Sequence, residues 1–270
     1  PSMTNWFVAV EVRRKQIILL DKVQNAWVEG VLEPLEQSIR DAALISLRRL
    51  RLDTAVNTPW AKIIETDNNL EAIPPHESTL EIFLKTDRAL LILGEPGGGK
   101  TTTLIQLARE LIAQARTDPN QPIPVLLNLS TWAETRGDLA DWVVEELTAK
   151  YQIPRQLGRD WLEKNQLLLL LDGLDEMPPE AQPKCITAVN FFRQTHGLTG
   201  LAICCRRADY QVHDARLQLG GAILIQPLTR GQVDAYLTAA GFHTAVLIDL
   251  IEQDRALQEL AESPLMLSIV

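Results

Sequence analysis

The apolar positions of this chain change rhythm near residue 58. From about Val8 to Leu52 they recur at spacings of three and four, through Ile17, Leu20, Val23, Trp27 and Val31, then Ile39, Ala43, Leu47 and Leu50. This predicts two helices, or one bent helix, with Gly30 and Pro34 at the break. Asn57-Thr58-Pro59 and Ile73-Pro74-Pro75 then punctuate the chain. After them, short apolar runs (89–93, 125–129, 167–171, 201–205 and 222–225) alternate with helical patterns at 100–116, 139–151, 155–165 and 180–195. Continuous apolar runs suit strands buried on both faces, hence a parallel sheet covered by helices. Beyond Pro227 the runs stop, and 229–240, 245–252, 255–262 and 264–270 read as a small helical bundle. The expected organisation is a helical leader over 1–57, an α/β domain over 58–227 and a helical subdomain over 228–270. The last pattern is cut at Val270 without a cap, as in a fragment of something longer.

Composition narrows the class. Hydrophobic residues make up 46% and charged residues 23%, an ordinary globular balance that argues against disorder. Lys and Arg number 26 against 35 Asp and Glu, a net charge of −9, which argues against general binding to nucleic acid. Cys185, Cys204 and Cys205 form neither a disulfide framework nor a pair at metal-ligand spacing, so a reduced, cytoplasmic setting is expected. No apolar run approaches the roughly 18 residues of a membrane span, since 167–171 is cut off at Asp172. His76, His196, His213 and His243 are isolated and suggest no metal site. Arg13-Arg14-Lys15 and Arg48-Arg49-Arg51 are read as solvated helix faces, with docking to an acidic partner, membrane surface or nucleic acid as the alternative.

One segment carries chemistry directly. Gly94-Glu95-Pro96-Gly97-Gly98-Gly99-Lys100-Thr101 fits GxxxxGK[ST], follows an expected strand and, with Thr102, opens an expected helix. Glycines let backbone N–H groups converge on phosphate oxygens, and the helix N-terminus adds its dipole. Lys100 supplies a positive charge for the β- and γ-phosphates, and the Thr101 hydroxyl can ligate Mg²⁺. The leucines of 167–171 deliver Asp172 to the carboxyl end of a buried strand, where it can hold the metal through water. Asp175 and Glu176 follow just past that ligand, where either could activate water. Alternatively, they cap the helix before Pro178-Pro179.

The loop at 94–101 and the block Asp172-Gly173-Leu174-Asp175-Glu176 resemble the NACHT family of signal-transduction P-loop NTPases, related to the AAA+ and NB-ARC modules. The block carries a small residue directly after the metal Asp and acids three and four positions after it. The resemblance implies a three-layer α/β domain with a five-stranded parallel sheet of order 5-1-4-3-2, and binding of ATP or ADP with Mg²⁺. It also implies that Arg206, closing Ile203-Cys204-Cys205-Arg206, reaches the γ-phosphate. Arg207 competes for that role, and Arg206 could equally be a surface residue leaving a strand. Gln226-Pro227-Leu228-Thr229-Arg230 resembles the family's entry into its helical subdomain. Glu262-Ser263-Pro264-Leu265-Met266-Leu267 resembles the segment whose proline packs on adenine, although Ser263 and Pro264 would also make an ordinary helix start.

By resemblance the chain is expected to be an ATP-binding, slowly hydrolysing switch whose nucleotide state controls helical packing and self-association, in bacterial defence or signalling. The alternative is a signalling scaffold with structurally bound nucleotide and negligible turnover. The family normally continues into a winged-helix domain that this chain stops short of. Turnover on the order of 10⁻³ per second and a mainly monomeric chain are therefore expected.

Overall fold

The computed structural model describes residues 3–32, 49–51, 71–74, 77–135, 137–239, 251 and 253–264. Its centre is one sheet of strands β1 (Arg49–Arg51), β2 (Glu71–Ala72), β3 (Ala89–Gly94), β4 (Ile123–Asn128), β5 (Leu167–Asp172), β6 (Gly200–Arg206) and β7 (Gly221–Ile225). The spatial order is β2-β1-β7-β3-β6-β5-β4. Its five longer strands are parallel and follow the expected order, with β3 between β6 and β7. All of β3, and β5 from Leu167 to Leu171, are buried, so the continuous apolar runs do mark strands covered on both faces.

Helices fill the crossovers, as parallel strands require. The helices among the described residues are α1 (Met3–Val23), which runs on into a π-helical stretch over Gln24–Leu32, α2 (Thr79–Lys85), α3 (Lys100–Thr117), α4 (Leu139–Tyr151), α5 (Arg155–Glu163), α6 (Gln182–Thr195), α7 (Arg230–Ala239) and α8 (Arg255–Ala261), besides shorter helical turns. The helices expected at 245–252 and 264–270 lie almost wholly outside the described residues, as does the expected boundary at residue 58. No helix among the described residues is long and apolar enough to cross a membrane.

The helical periodicity drawn as far as Leu50 ends differently. Arg49–Arg51 is a strand, antiparallel to β7 on one side and to β2 on the other. The physical reason is the edge of the parallel sheet: β7 would otherwise present unpaired N–H and C=O groups. Arg49 is not on a solvated helix face either. Its guanidinium donates to Thr79 Oγ1 at 2.9 Å and to the Glu77 carbonyl.

The leader is seated on the sheet domain. Leu19, Leu20, Val23, Val28 and Leu32 are buried in the same core cluster as β3 and β5. Each contributes roughly 1.5–3 kcal/mol of transfer free energy when fully buried. Arg13 donates to the carbonyls of Ala115 (3.0 Å) and Arg116 (3.2 Å), where α3 leaves its last C=O groups without helical partners. Trp27 Nε1 donates to the Tyr151 hydroxyl at 3.0 Å, which donates in turn to the Leu126 carbonyl on β4 at 2.7 Å.

Candidate functional site

The loop between β3 and α3 has the geometry its glycines permit. Gly97 and Gly99 have φ of 67° and 92°, in the left-handed region that side chains rarely adopt. A Cβ on Gly98 would lie 2.9 Å from the Glu95 carbonyl oxygen, so a larger residue there would force the turn open. The turn is closed by Gly98 N–H donating to that carbonyl at 3.0 Å. Gly94, the last residue of β3, and exposed Glu95 and Pro96 lead into it. Lys100 Nζ folds back and donates to the carbonyls of Gly94 (3.2 Å) and Glu95 (3.0 Å). Thr102 is half-buried in the first turn of α3, whose opening N–H groups have no helical partner. A curled loop, a lysine folded across it and a helix N-terminus fit a chain of phosphates.

Thr101 Oγ1 donates to Asp172 Oδ2 at 2.7 Å, joining the loop to the end of β5. Asp172 Oδ1 also accepts the Gly173 N–H at 3.0 Å. Burial pushes the Asp172 carboxyl above its usual range; these two hydrogen bonds oppose the rise, and nearby Glu176 and Asp175 add to it. A hydroxyl and a carboxylate meeting beside the loop are the donor set that Mg²⁺ takes next to phosphates, and the half-buried carboxyl would gain from a cation.

Gly173 turns the chain with φ 78° into a single 3-10 turn, Leu174–Glu176. The two acids then part. Asp175 faces β6, where its Oδ1 accepts the Arg206 main-chain N–H at 3.0 Å and its Oδ2 lies 2.8 Å from Arg206 Nε. Glu176 turns towards β4, where its Oε2 accepts from Asn128 Nδ2 at 2.9 Å. Neither acid caps the next helix, because α6 begins at Gln182 behind Ala181 with no side-chain cap.

Arg206 ends β6 beside Gly94 of the loop, to which it is the paired residue in the strand register. Arg207 differs: its Nε is buried and has no hydrogen-bond partner among the described residues. The 262–264 segment also reaches the site, since Ser263 Oγ donates to the Gly97 carbonyl at 3.2 Å while the Leu228 N–H donates to the Glu262 carbonyl at 2.9 Å. Pro264 therefore follows directly on a residue that touches the phosphate loop.

Asn128 belongs to none of the motifs read from the sequence. It sits inside the run assigned to a strand at 125–129, but the strand ends at Asn128 itself, opposite Asp172 in the β4–β5 register. A polar residue interrupting Val125, Leu126, Leu127 and Leu129 was the available signal.

A five-stranded parallel core with a Gly-rich loop and a strand-end acid joined to its Thr defines a P-loop NTPase. A model of the NACHT domain matches residues 88–237, more than half of the chain, and the protein belongs to the NACHT family. Membership implies a nucleotide-binding NTPase module in signalling. No curated protein matches the chain significantly.

Proposed function

We propose that the chain binds Mg-ATP and hydrolyses it slowly to ADP and phosphate, as a switch read by the helical segments that follow the sheet. The observation that carries this is the 2.7 Å Thr101–Asp172 hydrogen bond, which brings two motifs 71 residues apart to one point. In this reading Gly94, Glu95, Pro96, Gly97, Gly98 and Gly99, with Lys100, Thr101 and Thr102, hold the phosphates. Thr101 and Asp172 would hold Mg²⁺, the aspartate through water, and the ion would supply positive charge against that developing on the phosphate oxygens. Lys100 exchanges its two carbonyl partners for phosphate oxygens.

The water-orienting role falls to Glu176 rather than Asp175. Both Asp175 oxygens are engaged by Arg206, whereas Asn128 is the hydrogen-bond partner of Glu176 through one oxygen. A water oxygen bonds to the γ-phosphorus as the P–O bond to the β-phosphate bridging oxygen breaks. ADP leaves with that oxygen, and Glu176 accepts the proton. Arg206, held by Asp175 beside the loop, meets the γ-phosphate, and Pro264 packs against adenine. Turnover is on the order of 10⁻³ per second.

The Ser263–Gly97 contact supports a route from nucleotide to helical packing, and through it to self-association in a bacterial defence or signalling protein. The alternative reading, structurally bound nucleotide with negligible turnover, draws on the engagement of Arg206 by Asp175. Single-turnover hydrolysis of bound ATP tests both. Conversion over minutes, slowed in Glu176→Gln with ATP still bound, supports the switch. Bound ATP that persists for many hours supports the scaffold.

A further inference from the structure

The strand ends place a third group at the reacting centre that no motif announces. Asn128 and Asp172 are paired residues at the carboxyl ends of adjacent parallel strands. Their side chains take up different tasks: Asp172 turns to Thr101, while Asn128 Nδ2 donates to Glu176 Oε2 at 2.9 Å. The Asn128 amide is itself held at its other end, because its Oδ1 accepts the Ser130 N–H at 2.8 Å and caps the turn Leu129–Thr131. That bond fixes the amide so that NH₂ faces the carboxylate.

The space between them is shaped to match. A Cβ on Gly173 would lie 2.7 Å from Glu176 Oε2 and 2.8 Å from Asn128 Oδ1, so the contact exists only over a glycine.

We propose that Asn128 is a positioning residue for hydrolysis: its amide, anchored by the Ser130 N–H, fixes Glu176 so that the second carboxylate oxygen is presented to the attacking water. This rests on the reading of Glu176 given above. A carboxylate on a side chain with three rotatable torsions loses orientation unless something holds it, and a shift of about 1 Å in a catalytic group costs on the order of 10²-fold in rate. Asn128 would not touch the nucleotide and should leave binding alone.

Two substitutions separate positioning from scaffolding. Asn128→Asp retains an oxygen that can accept from Ser130 N–H but replaces the donor with an acceptor that repels Glu176. Asn128→Ala loses both. The readouts are nucleotide affinity, from fluorescent ATP-analogue titration, and the single-turnover rate with bound ATP. Both variants should bind ATP within about twofold of the parent and hydrolyse it roughly tenfold more slowly, less than the roughly 10²-fold or more carried by a general base itself. In the Glu176→Gln background, Asn128→Asp should slow hydrolysis no further, since the group it positions is already gone.

Asn128→Asp at parental rate, or a full additional tenfold loss in the Glu176→Gln background, overturns the proposal. So does slow hydrolysis in Asn128→Ala alone, which makes the residue a turn cap. If Glu176→Gln itself hydrolyses at the parental rate, the assignment of Glu176 fails first, and the two failures are told apart by that one variant.

Discussion

Asp175 holds Arg206 at both main chain and side chain, accepting its N–H at 3.0 Å and lying 2.8 Å from its Nε. The carboxylate side chain is 7% exposed and the guanidinium side chain 45%, so the acid is the buried partner and the base the one that can reach a ligand. Arg206→Ala should weaken ATP more than ADP, because its proposed target is the γ-phosphate. It should also cost about 1–3 kcal/mol of stability, as the buried carboxylate loses a charged partner. Calorimetric titration with each nucleotide and urea unfolding measure the two effects; equal weakening of ATP and ADP would remove the γ-phosphate role.

Gly173 is the pivot between the metal-ligand candidate and the two acids. Alanine there must adopt φ near 78°, and its Cβ would meet the Glu176 carboxylate at 2.7 Å. Gly173→Ala should destabilise the fold by about 1–3 kcal/mol and displace Glu176, reducing single-turnover hydrolysis more than ATP affinity. Parental turnover in a folded Gly173→Ala protein would show that the close approach has no catalytic consequence.

Lys100→Ala removes a half-buried cation whose partners are two loop carbonyls. Little apolar packing is lost, so the thermal midpoint should fall by no more than a few degrees while tight triphosphate binding disappears. Calorimetry showing undiminished ATP affinity would place the phosphates elsewhere.

Thr101→Ala deletes the hydroxyl that reaches Asp172 at 2.7 Å. Mg²⁺ should then tighten ATP binding far less than in the parent, while metal-free affinity, resting on backbone N–H groups and Lys100, changes little. Titrations with Mg²⁺ and with EDTA give the comparison. An unchanged Mg²⁺ enhancement would take the metal away from Thr101.

The Tyr151 hydroxyl ties the leader to β4, and burial pushes its pKa up to about 12 from an ordinary 10. The folded state thus keeps its proton longer than the unfolded chain. The stability this adds is complete below about pH 10 and is lost as the pH rises through about 12. Tyr151→Phe should be less stable at neutral pH, having lost both hydrogen bonds, and should show a flatter decline between those pH values. Denaturant unfolding at several alkaline pH values checks it; parallel declines in the two proteins would mean that Tyr151 ionises normally.

Much of the fold is legible in the order of the residues. The runs at 89–93 and 167–171 form β3 and most of β5 because a strand buried on both faces must be apolar at every position. The phosphate loop is equally legible, since its glycines are demanded by local backbone geometry at Gly97 and Gly99. The strand order comes with the family resemblance. Three site features are not legible in the periodicity: the separate destinations of Asp175 and Glu176, the hydrogen bond from Asn128 to Glu176, and the arrival of Ser263 at the loop.

The sequence by itself determined what is local: where apolar positions recur, where glycine must turn the chain, and which residue types could hold phosphate and metal. Only the tertiary structure decided which of two adjacent acids faces which strand. Asp175 and Glu176 are neighbours in the chain, yet one meets Arg206, 31 residues away, and the other Asn128, 48 residues away. The same holds for Arg49–Arg51, whose apolar spacing reads as helix but whose backbone is claimed by the open edge of β7. Helical spacing expresses a weak local preference, while the hydrogen bonds and burial available at a sheet edge or between strand ends depend on segments that meet only when the chain is folded.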